Sequence, residues 1–424
     1  MHDLGDQSSK SLETLSGVSS ARADADAKPA SRQTIRIAHL VSHPVQYLVP
    51  IYREITRMPG VELTVYYYSD SSLGRHFDEE FGAEFEWSTP LLGGYQHRFF
   101  PSSRGKPNLQ PLQRPNWDLL AAVAKEKYDM IWINSYIGVN ALVARTTALF
   151  HGTPVFFRDD TNLLTPRPWW KRALKNVVLR SFLRGTWALY VGEESKRYWK
   201  HYGLPASRLF FSPHCVDNTY WSEKATELRS RRDELRRSFG IDDDAPVILY
   251  CAKFIPKKQP LLMLSAFKLA RQKVKCWLLM AGDGQMRGQV QEMLKSEDIP
   301  NVIMPGFMNQ DQLPSAYAAA DLFVLPSAFN ETWGLVVNEA MNFSLPVIVS
   351  DQVGCGKDLV RPGWNGFVFD HTNERELADR MVDLAQDAQL RKTFGANSAR
   401  LVTEYSVSHC AEGIVQAGRA AGEG

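Results

Sequence analysis

The chain has 424 residues, 23% of them charged, and a formal net charge of only +2. This length favours two or more domains, and the near-balanced charge argues against a dedicated nucleic-acid-binding protein. No Cys-x-x-Cys pair is present, so neither a zinc site nor a disulfide framework is indicated, and a reduced setting is expected. The five cysteines are Cys215, Cys251, Cys276, Cys355 and Cys410.

Membrane-directing segments are not evident in the sequence. No run approaches the roughly 18 apolar residues that cross a bilayer, and residues 1–34 lack the apolar centre of a secretory signal. Those residues are rich in Ser, Ala and Asp, which predicts a disordered tail on which function does not depend. We therefore expect a cytoplasmic protein.

From residue 35 onwards, short apolar runs alternate with helix-length segments, as is typical of parallel sheets covered by helices. The first series predicts strands at 35–42, 61–69, 129–134, 153–158 and 187–192. The second predicts strands at 246–252, 276–282, 301–306, 321–327 and 345–351. This pattern predicts two Rossmann-like α/β domains, and ligands of such sheets bind beyond the carboxyl ends of the strands.

The domain boundaries follow from composition. Residues 35–221 form the predicted N-terminal domain and residues 245–400 the C-terminal one. The densely charged stretch 222–244, which ends in three consecutive aspartates, is predicted as the linker between them. Residues 401–424 are predicted as a C-terminal helix and tail.

Two carboxylates stand out in the apolar segment FNETWGLVVNEA (329–340), where seven residues separate Glu331 from Glu339. A buried helix is predicted over 334–343, so Glu331 precedes it and Glu339 lies more than one turn inside it. At about 1.5 Å of rise per residue, the two carboxylates are roughly 10 Å apart. Alternatively, Glu331 only favours the helix dipole and Glu339 lies on a solvated face. The spacing alone leaves both interpretations open.

The start of this helix is a candidate anion site. The N–H groups of Gly334, Leu335 and Val336 lie between the two carboxylates, and a helix N-terminus attracts phosphates. Carboxylates on either side suit hydroxyl groups. Hydroxyl, phosphate and hydroxyl groups follow one another in a nucleotide sugar, which consists of a hexose, a diphosphate and a ribose.

Three lysines follow the first strand of the second series. The segment AKFIPKKQP (252–260) places Lys253, Lys257 and Lys258 at the carboxyl end of that strand. Positive charge fixed there would neutralise a diphosphate leaving group. The alternative is an ordinary solvated loop, in which lysine is common.

A glycine loop is a further candidate for nucleotide binding. MAGDGQMRG (280–288) carries Gly282 and Gly284, but its third glycine comes one residue too late for the dinucleotide fingerprint, so a dehydrogenase is poorly supported. The acidic groups 159–160 and 242–244 lack a histidine or third carboxylate at metal-binding spacing. We therefore expect no metal and no cofactor.

As an ordered set, the lysines, AGDG, GFMNQDQLPSAYAAADLFVLPS, the Glu-x7-Glu segment and GWNGFVF resemble the retaining nucleotide-sugar glycosyltransferases of family 4, which have the GT-B fold. The resemblance runs from Val247 to about Asp370. In the first half, SHPVQYLVPIYREI and PHCVDN more loosely resemble bacterial members that act on surface polysaccharides. The resemblance implies a nucleotide diphosphate sugar donor, a glycan or lipid-linked acceptor and retention of the anomeric configuration without a dedicated base.

The resemblance also implies residue roles. Glu331 would contact hydroxyls of the transferred sugar, and Glu339 the ribose hydroxyls. Lys253 and Lys258 would bind the diphosphate together with the helix N-terminus. The nucleobase would lie near VIMPG (302–306).

The sequence departs from the family at several places. Ala252-Lys253 replaces the usual Gly-Arg, which keeps the charge but loses the bidentate fork of arginine. His43 stands in a loop that commonly carries glycines, where it either contacts donor or acceptor or is a structural turn histidine. Many members carry a histidine in the middle of the first domain. FFRDDTN occupies that region here, so Arg158 and Asp159 become candidates.

Residues 165–187 contain no acidic side chain and interleave Lys and Arg with Trp, Phe and Leu. A helix of this composition can lie on an anionic membrane, which would hold the protein at the inner face of the membrane near a lipid-linked acceptor. Alternatively, it packs on the core with a solvated basic face.

Other functions compatible with the same architecture are a nucleotide-sugar epimerase, a phosphorylase or a catalytically silent sugar-binding subunit. Both glutamates and both lysines are present, which favours a transferase, whereas the altered loops of the first domain keep the silent subunit open.

Overall fold

The computed structural model describes residues 34–74, 76–78, 83–85, 90–100, 115–165 and 168–422. The tail predicted at 1–34 therefore lies outside the described residues except for Thr34. Residues Thr34–Gly424 belong to one compact unit.

Two parallel sheets organise this unit. The strands of the first half are β1 (Ile35–Val41), β2 (Val61–Tyr67), β3 (His76–Asp78), β4 (Ala83–Phe85), β5 (Gln96–Arg98), β6 (Met130–Asn134), β7 (Val155–Asp159), β8 (Trp187–Tyr190) and β9 (Leu209–Phe211). Seven of them form the first sheet in the order β5-β2-β1-β6-β7-β8-β9, while β3 and β4 form an antiparallel pair.

The strands of the second half are β10 (Val247–Cys251), β11 (Trp277–Ala281), β12 (Val302–Gly306), β13 (Leu322–Leu325), β14 (Val347–Ser350) and β15 (Gly366–Phe369). They form the second sheet in the order β12-β11-β10-β13-β14-β15. In both sheets the strands that come next in sequence lie on one side of the first strand, and the later strands lie on its other side. This order is that of a doubly wound Rossmann sheet.

Helices connect and cover these strands. They are α1 (Val49–Arg57), α2 (Trp117–Lys125), α3 (Val139–Phe150), α4 (Trp169–Phe182), α5 (Glu193–His201), α6 (Asn218–Arg229), α7 (Arg232–Ser238), α8 (Pro260–Arg271), α9 (Arg287–Ser296), α10 (Leu313–Ala319), α11 (Leu335–Asn342), α12 (Gly356–Leu359), α13 (Glu374–Gln386), α14 (Ala388–Val402) and α15 (Val407–Gly422).

The apolar runs form strands because helices cover both faces of each sheet. Every residue of β10 is buried, and four of the five residues of β6 are. Parallel strands buried on both faces are continuously apolar, which is why all ten predicted strands lie within two residues of observed ones. The sequence missed the edge strands β5, β9 and β15, which are three or four residues long.

The charged stretch 222–244 is largely helical. It holds most of α6 and all of α7, and the guanidinium of Arg232 lies 2.9 Å from the carboxylate of Asp321, just before β13. Arg236 is buried and reaches the same carboxylate at 3.3 Å. The ion pairs of Arg232 and Arg236 with Asp321 therefore hold α7 against the second sheet.

The last helix, α15, packs against α1 and the first sheet. Two glycines allow this close approach. A Cβ at Gly413 would lie 1.9 Å from the carbonyl oxygen of Phe211, and one at Gly418 would lie 2.5 Å from the side chain of Ile35. The helix was predicted, but its return to the first half of the chain was not.

Candidate active site

Each sheet has a topological switch point, where successive strands stop being added on one side of the first strand and start being added on the other side. In the first sheet this point lies between β1 and β6, and in the second between β10 and β13. Loops diverge there beyond the carboxyl ends of the strands and leave a crevice for a ligand. Lys253, Lys258 and Glu331 lie in loops at the second of these points, and His43 lies in a loop at the first. Gly282 and Gly284 instead follow β11, and Glu339 lies inside α11.

Glu331 lies at the second crevice, in the loop between β13 and α11, and is only 7% exposed. Its Oε2 accepts a hydrogen bond from Ser327 Oγ at 2.9 Å and forms an ion pair with the Lys258 ammonium. Lys257 Nζ lies 3.9 Å away. A buried carboxylate is tolerated because these partners satisfy it. In the structure Glu331 and Lys258 thus contact each other. The sequence analysis had assigned sugar hydroxyls to Glu331 and the diphosphate to Lys258.

Lys258 is itself largely removed from water. Burial lowers the pKa of its ammonium, and Glu331 opposes that effect. The lysines are therefore not simply solvated loop residues. Lys253, directly after β10, is half-buried at the same strand end.

The helix after Glu331 begins close to its predicted start. Gly334 is its N-cap and has φ of +104°, which only glycine adopts readily. A Cβ at Gly334 would also lie 2.9 Å from the Leu325 side chain. The first N–H groups of the helix, those of Leu335 and Val336 among them, have no partner within it. The N-terminus of α11 thus lies directly beside the buried carboxylate.

Glu339 lies inside α11, half-buried, and its Oε2 accepts a hydrogen bond from the Tyr317 hydroxyl at 2.7 Å. Burial raises the pKa of this carboxyl to about 7, and the hydrogen bond from Tyr317 partly opposes the shift. Neither glutamate therefore lies on a solvated face.

The glycine loop at 282–284 packs against the lysine loop at 252–258. Gly282 has φ of +146°, and a Cβ there would lie 2.0 Å from the carbonyl oxygen of Ala252. The N–H of Phe254 donates to the carbonyl of Asp283 at 2.8 Å. Gly284 has φ of +150°. Close backbone packing thus explains Gly282 without a ligand, and the binding role of both glycines stays a prediction.

The first crevice contains a cavity of about 710 Å³. Its walls combine apolar and aromatic side chains with hydroxyls and carboxyls. They include Val41, His43, Tyr47, Tyr68, Ile133, Asn140, Asp159, Asp160, His214 and Thr332. His43 Nδ1 lies 2.9 Å from Ser42 Oγ, in a turn where Ser72 Oγ donates to the carbonyl of Pro44 at 2.7 Å.

A pair of carboxyls lies at the carboxyl end of β7, beside this cavity. The structure places Asp159 against Asp160, and burial together with that neighbour raises the pKa of Asp159 to about 8. Asp160 accepts a hydrogen bond from Thr332 Oγ1 at 2.7 Å, so it links the first sheet to the loop of Glu331. Near neutral pH the Asp159 carboxyl is therefore mostly protonated.

Arg158 and His214 complete the surroundings of the pair. The Arg158 guanidinium is buried and donates to Ser212 Oγ at 3.2 Å and to the carbonyl of Pro213 at 3.0 Å. Its hydrogen bonds thus fix the segment before α6. Burial lowers the pKa of His214 to about 4, and its Nε2 lies 3.9 Å from Asp160. His214 is therefore a neutral imidazole.

The sequence had not singled out Asp160, Thr332, His214 or Ser327 as site residues. Asp160 and His214 do lie in motifs that were noted, FFRDDTN and PHCVDN, and both follow a strand of the first sheet. Their position at strand ends was the available signal. Among the described residues, no group of three or more His, Cys, Asp or Glu side chains could hold a metal ion.

A second link joins the two halves of the chain beside the site. The Asp358 carboxylate accepts the N–H of Glu193 at the start of α5, at 3.0 and 3.1 Å, and the Tyr405 hydroxyl at 3.1 Å. Burial raises the pKa of Asp358 to about 6. A Cβ at Gly192 would lie 2.5 Å from Trp333, so the two halves touch closely here.

Curated relatives match only part of the chain. It is 30% identical over 208 residues to the alpha-D-kanosaminyltransferase of Streptomyces kanamyceticus, covering 48% of this chain and 52% of that protein. It is 31% identical over 189 residues to the lipopolysaccharide 1,2-N-acetylglucosaminetransferase of Salmonella typhimurium, covering 42% and 47%. The chain thus spans about half the length of the curated relatives it matches.

Solved structures match nearly the whole chain. A glycosyltransferase from Rickettsia africae superposes with a TM-score of 0.68 at 13% identity, covering 92% of this chain and 98% of that one. Anabaena Alr3699/HepE in complex with UDP and glucose superposes with a TM-score of 0.63 at 18% identity, covering 90% and 98%. At such low identity these matches show the fold, and they confirm the predicted GT-B architecture.

The family model for glycosyl transferases group 1 matches residues 231–401, which include α7, the second sheet and both glutamates. The match confirms the predicted relationship at the level of GT-B-type glycosyltransferases. Residues 231–401 are therefore similar to the group 1 glycosyltransferases, within a chain that has the GT-B fold.

Proposed function

We propose that this chain is a retaining glycosyltransferase that moves a sugar from a nucleoside diphosphate donor to a glycan or lipid-linked acceptor in surface polysaccharide or glycoconjugate assembly. The buried ion pair of Glu331 and Lys258 beside the N-terminus of α11 carries this proposal. The pair lies inside the part of the chain that matches the group 1 family.

The diphosphate would bind to Lys253, Lys258 and the first N–H groups of α11. Burial disfavours the charged form of Lys258. An anion that replaces the lost water would favour that form again, which strengthens binding of a phosphate. The same fixed charges would stabilise the departing diphosphate as the glycosidic bond breaks.

Glu331 would accept hydrogen bonds from hydroxyls of the transferred sugar. Its contacts among the described residues all use Oε2, which leaves Oε1 for this purpose. Ser327 and Lys258 hold the carboxylate in one position, so it is organised before the donor arrives. Interactions of this kind accelerate a reaction when they strengthen in the transition state.

Glu339 would bind the ribose hydroxyls of the donor. Tyr317 fixes its Oε2, and the contacts of Glu339 within the described part of the chain leave Oε1 available. Because the ionised form accepts hydroxyl donors best and its pKa is about 7, donor affinity would respond to pH in the neutral range.

The acceptor would occupy the cavity of the first sheet. Asp159 and Asp160 would orient its reacting hydroxyl, and His43 would contact donor or acceptor from the turn after β1. Thr332 connects the carboxyl pair to the loop of Glu331. The departing phosphate would take the acceptor proton on the same face of the sugar, so no dedicated base is required. Closure of the crevice would exclude water and limit hydrolysis.

A thermal-shift screen of nucleoside diphosphates and their sugars, followed by product analysis, tests the proposal. A ligand at 100 times its Kd stabilises the fold by about 2.7 kcal/mol. We expect a shift with one nucleoside diphosphate, and a product with the anomeric configuration of the donor. Absence of any shift would contradict donor binding, and an inverted product would contradict retention.

Two controls separate the alternatives. Conversion of the donor without any acceptor would indicate an epimerase. Binding of a nucleoside diphosphate without donor turnover in any acceptor mixture would indicate a silent sugar-binding subunit.

A further inference from the structure

Helix α4 exposes an apolar stripe. Trp170, Leu174, Val177 and Val178 recur at helical spacing, so they share one side of the helix. All four are exposed, Val177 by 72%. Leu179 is the buried residue of this helix. The helix thus packs on the core through Leu179 and has exposed cations, as the alternative interpretation expects, but much of its apolar surface also points outwards.

The neighbouring helix α3 extends this surface. Its Ala144 and Ala148 and the Leu179 of α4 pack in the same core cluster, so both helices cover one face of the first sheet. Arg145 of α3 donates to the Arg184 carbonyl at 2.8 Å, which joins α3 to the turn that follows α4. On the outer side of α3, Leu142 and Phe150 are eight residues apart and exposed, Phe150 by 87%. We call the outward sides of α3 and α4 the α3–α4 face.

The charge of the α3–α4 face is of one sign. Neither helix contains an acidic residue, and the acidic side chains between residues 137 and 187 are only those of Asp159 and Asp160 in the cavity. Lys171, Arg172 and Arg180 are exposed on α4. Soluble surfaces normally mix both signs and avoid contiguous apolar patches.

We propose that the α3–α4 face docks onto the surface of an anionic lipid bilayer. Exposed Trp, Leu, Val and Phe side chains would enter the boundary between head groups and acyl chains, and the flanking cations would bind anionic head groups. An uncharged apolar partner would not require the cations, and two copies of this face would bring like charges together. Among the described residues no helix is long and apolar enough to span a membrane, so this contact would be peripheral.

The α3–α4 face adjoins the acceptor cavity. Ile137, which is 58% exposed, precedes α3 and lines the cavity together with Val139 and Asn140. An amphiphile could therefore keep its apolar part in the bilayer while its polar end enters the cavity. This assignment of a lipid-linked acceptor rests on the proposed function, whereas the docking itself does not.

Vesicle co-sedimentation of the full chain tests the docking. We expect binding to vesicles of phosphatidylglycerol and phosphatidylcholine, weaker binding as ionic strength rises, and little binding to phosphatidylcholine alone. The double variant Lys171→Gln/Arg172→Gln should bind about fivefold more weakly for each charge removed. Leu174→Ser/Val177→Ser should weaken binding at least about tenfold through lost apolar burial.

The matched control is Arg229→Gln/Arg237→Gln, which removes the same charge from exposed positions of α6 and α7. It should bind vesicles as the parent does. Equal losses in this control and the α4 variant would overturn a specific docking face, as would unchanged binding in both α4 variants. Because the substituted side chains are exposed, unfolding temperatures should stay within about 2 °C of the parent.

Light scattering and nucleotide titration distinguish the remaining outcomes. A parent dimer that Leu174→Ser/Val177→Ser converts to monomer, without vesicle binding, would replace the bilayer by a second copy of the chain. Nucleotide binding without vesicle binding would refute only the docking. Vesicle binding without nucleotide binding would support the docking and contradict the proposed donor site.

Discussion

The two crevices share a strand order but differ in chemistry. At the second sheet, Lys258 and Glu331 form a buried ion pair beside a helix N-terminus. At the first sheet, Asp159 with its raised pKa lies against Asp160 at the wall of a largely apolar cavity of about 710 Å³. Topology therefore determines where a ligand binds, whereas the loops determine which ligand binds.

This difference suggests a division of labour. Fixed positive charge and a helix N-terminus suit a diphosphate, which carries the same charges in every donor. A cavity with apolar walls and few polar groups selects by shape. Substitutions at the second crevice should therefore affect donor binding or the transfer step. Substitutions at the first crevice should affect the acceptor.

The largest effect is expected for Glu331→Gln. This variant keeps the shape but removes the negative charge that would face the sugar, so transfer should fall by about 10²- to 10³-fold. Nucleoside diphosphate affinity should change only a few-fold, because Lys258 remains. Steady-state kinetics and calorimetric titration measure the two quantities. Normal turnover by Glu331→Gln would refute the role assigned to the carboxylate.

The next effect is that of Lys258→Met. Removing one partner of a buried pair leaves Glu331 without its nearest cation, which should lower stability by about 3–5 kcal/mol. Donor affinity should fall by about 30- to 100-fold. Lys257→Met is the matched control, because its ammonium lies 3.9 Å from Glu331 and its side chain is 30% exposed. Equal losses in both lysine variants would contradict the special position of Lys258.

The variant Asp159→Asn tests the role of the first crevice. Its folded-state pKa of about 8 lies above the ordinary value of 3.8, so the folded protein retains a proton that the unfolded chain releases. That contribution to stability is complete below about pH 4 and is lost as pH rises through 8. The asparagine variant should therefore gain about 1–3 kcal/mol relative to the parent between pH 5 and pH 8.5.

Urea unfolding at several pH values measures this difference, with the exposed Asp242→Asn as control. Transfer by Asp159→Asn should fall about tenfold with donor affinity unchanged, as expected for a lost acceptor contact. A weaker donor affinity in this variant would contradict the assignment of the donor to the second crevice and of the acceptor to the first.

The smallest effect is a pH dependence at Glu339. Its pKa of about 7 means that the carboxylate becomes protonated as pH falls from 8 to 6. Affinity for the nucleotide sugar should then fall by about three- to tenfold, because a neutral carboxyl accepts fewer hydroxyl donors. Titration calorimetry at both pH values should reveal the change in the parent and a flat profile in Glu339→Gln. A dependence that persists in Glu339→Gln would assign it to another group.

Much of the fold was predictable because its signals are local. Strands buried on both faces are continuously apolar, as in VILYC at 247–251, and their boundaries came out within two residues. The helix after Glu331 was predicted at 334–343 and observed at Leu335–Asn342. The ordered motifs also predicted the similarity of the second half to glycosyltransferases, which the group 1 family model confirms.

Pairings distant in sequence were not predictable. Lys258 and Glu331 lie 73 residues apart, and Asp160 and Thr332 lie 172 residues apart. No periodicity indicates which strand ends will meet, because the tertiary fold decides it. For the same reason the composition of α4 did not reveal that its apolar stripe faces outwards.

A crystal structure with the nucleoside diphosphate selected by the screen tests donor binding at the second sheet most directly. The diphosphate oxygens should lie about 3 Å from Lys258 Nζ and from N–H groups at the start of α11, with the ribose at Glu339. A nucleotide bound instead in the cavity beside Asp159 would contradict this assignment of the two crevices.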